Sequence, residues 1–133
     1  QKAFGKDSPL HYNSQAGVFY ESVKEMKKLL DRFGASENSF FFGAGDLYVT
    51  VYGGRTRLVG ILLGRGLTVD EGQRELAGVT LESLVVARRV AEAMKILAAK
   101  GKADLGEFPL LMHIDGILAE KEARRSAVES LFL

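Results

Sequence analysis

The 133 residues are 47% apolar, enough to bury one hydrophobic core, so one domain is expected. The 18 Lys and Arg are interspersed with 17 Asp and Glu and form no basic stripe or tail, which argues against a nucleic-acid partner. Cysteine is absent, excluding disulfides, thiolate zinc sites and cysteine nucleophiles and fitting a cytoplasmic location; the apolar runs, such as residues 58–63, are too short to span a bilayer, and no signal-peptide pattern opens the chain.

Residues 1–14, rich in turn formers and without a period, read as an irregular lead-in. Over residues 18–33, Phe19, Val23, Met26, Leu30 and Phe33 recur at helical spacing, and Gly34 is placed to end the helix in a left-handed turn. Residues 47–52 contain the β-branched run Val49-Thr50-Val51, which fits a short strand or a turn of helix equally well. Thr68 and Glu71 spell a capping box before a short helix that Gly78 should stop. The longest helix is expected over residues 81–100, with Leu81, Leu84, Val85, Val90, Ala93, Met94 and Leu97 on its core face and Gly101 closing it. Pro109 suits the first turn of a further helix whose core face is Leu110, Leu111, Ile114 and Leu118, and Ser126 with Glu129 offers a last capping box. The pattern is mostly helical.

The chemistry concentrates in GAGDLYVTVYGGRTR, residues 43–57. Gly53 and Gly54 allow close backbone approach and positive φ, and Arg55 carries a rigid fork of donors suited to a phosphate or carboxylate. If the segment from Asp46 is helical, Thr50 lies one turn further on the same face, and carboxylate, hydroxyl and guanidinium can converge on a small polar molecule. An ordinary surface turn at the glycines, a helix cap at Asp46 and a packing role for Thr50 fit the same residues. Gly43 and Gly45 begin a Gly-x-Gly, but Tyr48 occupies the third glycine position of the dinucleotide fingerprint. His11 and His113 have no second histidine at metal spacing, so no metal site is expected; His113 reads as a core or boundary histidine, and its nearness in sequence to Asp115 implies no triad. Lys27-Lys28, Arg88-Arg89 and Arg124-Arg125 read as solvated helix faces, with Arg88-Arg89 the pair a partner domain could cover.

The runs Gly45-Asp46-Leu47, Val49-Thr50, Tyr52-Gly53-Gly54-Arg55-Thr56-Arg57 and Leu62-Leu63-Gly64-Arg65-Gly66, followed by Leu76-Ala77-Gly78 and Phe108-Pro109-Leu110, resemble the C-terminal, substrate-binding domain of NAD-dependent glycerol-3-phosphate dehydrogenase. The resemblance extends from about Asn13 onward. It implies an all-α helical bundle of the kind found in 6-phosphogluconate dehydrogenase-like enzymes, packed against a dinucleotide-binding Rossmann domain. The implied substrates are glycerol 3-phosphate and dihydroxyacetone phosphate, with NAD or NADP as cofactor and a homodimer as the assembly. Asp46 and Thr50 would then contact the reacting end of the substrate, while Arg55 holds its phosphate near the cofactor. Thr56 stands where the family carries a phosphate-binding asparagine, Ala77 where it presents a Gln or Glu to the cofactor, and Asn13 matches a position of structural character. The family's proton-donating lysine, followed by asparagine, has no counterpart, because Lys2 precedes Ala3 and lies too close to Asn13. The chain is therefore expected to be one inactive domain of a longer enzyme. A helical dimerisation module, or the substrate domain of a different two-domain hydroxyacid dehydrogenase, are the alternative expectations.

Overall fold

The computed structural model describes residues 12–76 and 82–119. Helix α1 spans Tyr12–Arg32, α2 Glu37–Gly53, α3 Arg55–Gly64, α4 Val69–Glu75, α5 Glu82–Ala99 and α6 Pro109–Ala119, with a 3-10 turn at Leu105–Glu107 between the last two. No strand occurs among the described residues, so the all-α expectation is borne out and residues 47–52 are helical. The expected lead-in is corrected over its last residues: α1 already begins at Tyr12 and, at 21 residues, exceeds the 18 of α5, which was expected to be longest. The expectations for Lys2, His11, Ala77, Gly78, Leu81, Arg124-Arg125 and the Ser126–Glu129 box lie outside the described residues.

Local chemistry accounts for four of the helix ends. Gly34, Gly66 and Gly101 take positive φ of 71°, 92° and 68°, the left-handed conformation that a side chain disfavours. Around each, the two amides of a Schellman ending are donated back: Ala35 to the Leu30 carbonyl, Leu67 to Leu62 and Lys102 to Leu97, with the glycines bonding Asp31, Leu63 and Ala98. At α4, Thr68 Oγ1 accepts from the Glu71 amide at 3.1 Å and the Glu71 carboxylate accepts from the Thr68 amide at 2.7 Å, completing the predicted capping box. Those bonds hold the Glu71 carboxyl below its ordinary value.

The beginning of α6 is satisfied from a distance. Pro109 has no amide hydrogen, the Met112 amide reaches the Phe108 carbonyl at 3.0 Å, and the intervening Leu110 and Leu111 amides donate to the two carboxylate oxygens of Glu25 at 2.7 and 2.9 Å. Glu25 lies in α1 and is buried, so this contact fastens the first helix to the last described one. Burial, the largest influence, raises the Glu25 carboxyl above its ordinary value, the two backbone bonds lower it, and the charge of Glu21 and a side-chain hydrogen bond with it raise it further. Lys28 and Arg32 extend the same seam, bonding the Glu107 and Lys102 carbonyls between α5 and α6.

The fully buried apolar side chains among the described residues are Val59, Ala91, Met94 and Phe108. The core faces read from periodicity are corrected in part. Met94 is buried as expected, but Val85 and Ile114 are exposed, as is Phe33, which lies just past α1. In α6 it is Asp115 that turns inward, because α5 offers it two cations. Arg88 Nη1 meets Asp115 Oδ1 at 2.7 Å and Lys95 Nζ meets Oδ2 at 2.5 Å. Arg88, expected on a solvated face, therefore braces α5 against α6. Both cations keep contact with water, which limits the cost of gathering the charges and makes the cluster a device for fixing how the two helices meet.

Helix α2 has apolar residues on every side and none fully buried. Phe41, Phe42, Tyr48, Val49 and Tyr52 are each more than half exposed, and Phe42 reaches 77%.

Candidate functional site

Four candidate site residues, Asp46, Thr50, Arg55 and Thr56, flank the joint between α2 and α3. Asp46 and Thr50 stand four positions apart in α2, on one face and about 6 Å apart along the axis. Arg55 and Thr56 open α3, and a single residue, Gly54, links the two helices. Asp46, Thr50 and Arg55 are exposed, Thr56 is half-buried, and neither Asp46 nor Arg55 enters an ion pair among the described residues. A carboxylate, two hydroxyls and a guanidinium thereby keep hydrogen-bonding capacity within eleven consecutive residues, 46–56.

Glycine is needed at the joint for a reason other than the expected positive φ. Gly53 is helical and Gly54 has φ −70° and ψ 142°, a conformation open to any residue. Space is the constraint: a Cβ on Gly54 would lie 2.6 Å from Thr50 Cγ2 and 2.7 Å from the Thr50 carbonyl oxygen, which accepts the Gly54 amide at 2.8 Å. Thr50 is thus pressed against the residue that launches Arg55. Gly54→Ala must push the helices apart and is expected to destabilise the protein by about 1–3 kcal/mol. Denaturant unfolding measures this, and unchanged stability would show that the joint yields freely.

Thr56 has a partner that local sequence does not reveal. Its hydroxyl is hydrogen-bonded to that of Ser83 in the first turn of α5, 27 residues away. This contact brings the beginnings of α3 and α5 together.

The other candidates lie apart from this joint or carry no comparable chemistry. Asn13 is exposed in the first turn of α1. His113 is half-buried in α6. No group of three or more His, Cys, Asp and Glu able to hold a metal occurs among the described residues, and none of their helices is long and apolar enough to cross a membrane.

Comparison with known proteins places this geometry in context. The family model of the NAD-dependent glycerol-3-phosphate dehydrogenase C-terminus matches residues 4–129. The NAD(P)+ glycerol-3-phosphate dehydrogenase of Fusobacterium nucleatum is 30% identical over 125 residues, covering 91% of this chain and 35% of that protein. The NADP(+)-dependent glycerol-3-phosphate dehydrogenase of Archaeoglobus fulgidus is 34% identical over 96 residues, covering 69% of this chain and 28% of its own length. The NAD(P)+ glycerol-3-phosphate dehydrogenase of Trichlorobacter lovleyi is 32% identical over 123 residues, covering 89% of this chain and 34% of its own length. The chain thus spans about a third of the length of these relatives, and no solved structure matches it. With the match running almost from end to end and the Gly-Asp-Leu and Gly-Gly-Arg elements at the joint of two helices, the chain belongs to the C-terminal domain family of NAD-dependent glycerol-3-phosphate dehydrogenases.

Proposed function

We propose that the chain is the single, helical substrate-binding domain of an enzyme that interconverts sn-glycerol 3-phosphate and dihydroxyacetone phosphate by hydride transfer with NAD or NADP. The observation that carries this reading is the α2–α3 joint, where Asp46 and Thr50 precede Arg55 and Thr56 on adjoining turns. A three-carbon phosphoester has a doubly charged end and a hydroxyl or carbonyl end, and the joint offers complementary groups in the same order along the chain. The Arg55 guanidinium can donate two parallel bonds to phosphate oxygens and Thr56 Oγ1 one more. Thr50 Oγ1 and the Asp46 carboxylate are then left to orient the substrate's hydroxyls and carbonyl oxygen.

The nicotinamide cofactor supplies or accepts the hydride. The described residues contain no strand leading into a glycine-rich helix start, so they fit an edge contact to it through Arg55; the second cofactor contact that the family resemblance implies falls at sequence position Ala77. The bulk of cofactor binding and the proton-donating lysine fall to a Rossmann domain of the same protein. The uncovered aromatic face of α2 supports a further body resting there, and a homodimer is part of the same proposal. A cytoplasmic place of work suits a chain without cysteine. The relatives compared are all glycerol-3-phosphate dehydrogenases, which does not favour a domain of another hydroxyacid dehydrogenase.

The test is an initial-rate assay of the full-length protein with NADH and NADPH. Dihydroxyacetone phosphate is expected to exceed unphosphorylated dihydroxyacetone by about a thousandfold or more in kcat/KM, since the truncated ketone forfeits all of the phosphate's binding energy. Equal rates with the two ketones, or no turnover with either cofactor, would overturn the proposal.

A further inference from the structure

The bond between the Thr56 and Ser83 hydroxyls connects two residues that share no local reason to meet. Thr56 is the second residue of α3 and Ser83 the second of α5. Each hydroxyl carries one hydrogen and two acceptor lone pairs, so the direction of the bond decides what Thr56 has left to offer. If Thr56 donates to Ser83, it presents only lone pairs outward, which repel a phosphate. If Ser83 donates to Thr56, the Thr56 hydrogen is free to donate to a phosphate oxygen, and the polarised Thr56 oxygen makes it a better donor. The bond also selects among the staggered χ1 rotamers of Thr56.

We infer that Ser83 is a positioning residue for phosphate binding: it donates to Thr56 Oγ1, holds that side chain in one rotamer and turns the Thr56 hydrogen toward the substrate's phosphate. The inference rests on the proposed role of Thr56 as a phosphate contact and adds to it a residue from α5, outside the Gly-Gly-Arg-Thr run. A lone hydroxyl at an exposed helix start is a weak phosphate ligand unless something fixes its rotamer and hydrogen. Ser83 supplies both.

The experiment measures steady-state kinetics of the full-length enzyme with dihydroxyacetone phosphate and inhibition by inorganic phosphate. Ser83→Ala suits an exposed first-turn helix position and removes only the hydroxyl. It is expected to raise both KM and the phosphate inhibition constant by about threefold to tenfold while kcat stays within about twofold. Ser83→Thr, which restores a hydroxyl, should bring both constants back. Thr56→Val should raise them at least as much, and Ser83→Ala added to Thr56→Val should bring no further increase, since both changes interrupt one relay. An unchanged KM in Thr56→Val would remove the premise that Thr56 meets the phosphate. A raised KM in Thr56→Val beside unchanged constants in Ser83→Ala would leave that premise standing and overturn the role of Ser83. A fall in kcat alone in Ser83→Ala, or failure of Ser83→Thr to restore binding, would also overturn it.

Discussion

Replacing Arg55 with alanine in the full-length enzyme is expected to raise the KM for dihydroxyacetone phosphate by about tenfold to a hundredfold, with a smaller effect on kcat. The size follows from what the guanidinium can do at the head of α3. Charge-assisted hydrogen bonds contribute about 1.5–3 kcal/mol, and each 1.4 kcal/mol corresponds to about a factor of ten in binding. Because the phosphate is remote from the carbon that exchanges hydride, that energy holds substrate and transition state alike and is felt mainly in KM. Arg55→Lys keeps the charge but loses the planar fork, and should recover part of the loss. The informative control is unphosphorylated dihydroxyacetone, whose slow turnover should be unchanged by Arg55→Ala. An equal loss with both ketones would mean that Arg55 serves the joint or the cofactor and not the phosphate.

How much of this was legible in the sequence follows from the range of each interaction. Stops at Gly34 and Gly101, the Thr68–Glu71 box and Pro109 at the head of α6 are rules of a few neighbouring residues, and each holds. Residues 47–52 are ambiguous in isolation because β-branched side chains favour strands. The helix running from Glu37 carries them, so tertiary and flanking context overrides propensity. Tyr12 to Ser14 look irregular because Asn13 and Ser14 are weak helix formers, yet they belong to the first turn of α1. The misread faces have a different cause. Periodicity assigns apolar residues inward and charges outward, but Asp115 faces Arg88 and Lys95, and Ile114 beside it is displaced to the surface. At the candidate site, the helical spacing of Asp46 and Thr50 could be read from the sequence, whereas Ser83 could not: only the meeting of α3 and α5 brings it to Thr56. The role of Gly54 was legible as a need for glycine but not as the steric one that Thr50 imposes.

The buried carboxylate of α1 should govern the stability of the last described helix. Removing it with Glu25→Ala leaves the Leu110 and Leu111 amides without their acceptors and is expected to cost about 2–4 kcal/mol, because unmade bonds at partly buried donors carry their full desolvation penalty. Hydrogen exchange over residues 109–119 of the full-length protein locates the loss: it should accelerate there by more than tenfold and change little in α3. Uniform protection across both helices would show that α6 is held by its apolar face alone. Acidity gives a second, independent signature. Burial raises the Glu25 carboxyl above its ordinary 4.5, so the folded protein holds this proton more tightly than the unfolded chain does. The stabilising contribution is therefore complete below about pH 4.5 and is lost as pH rises through the elevated folded value. Glu25→Gln has no proton to release at this position. Its unfolding free energy should lack this component, so the advantage of the wild type over Glu25→Gln should shrink as pH rises from 4.5 toward neutrality. A gap that widened over the same interval would mean that the two amides of α6 and its helix dipole outweigh burial and hold Glu25 ionised.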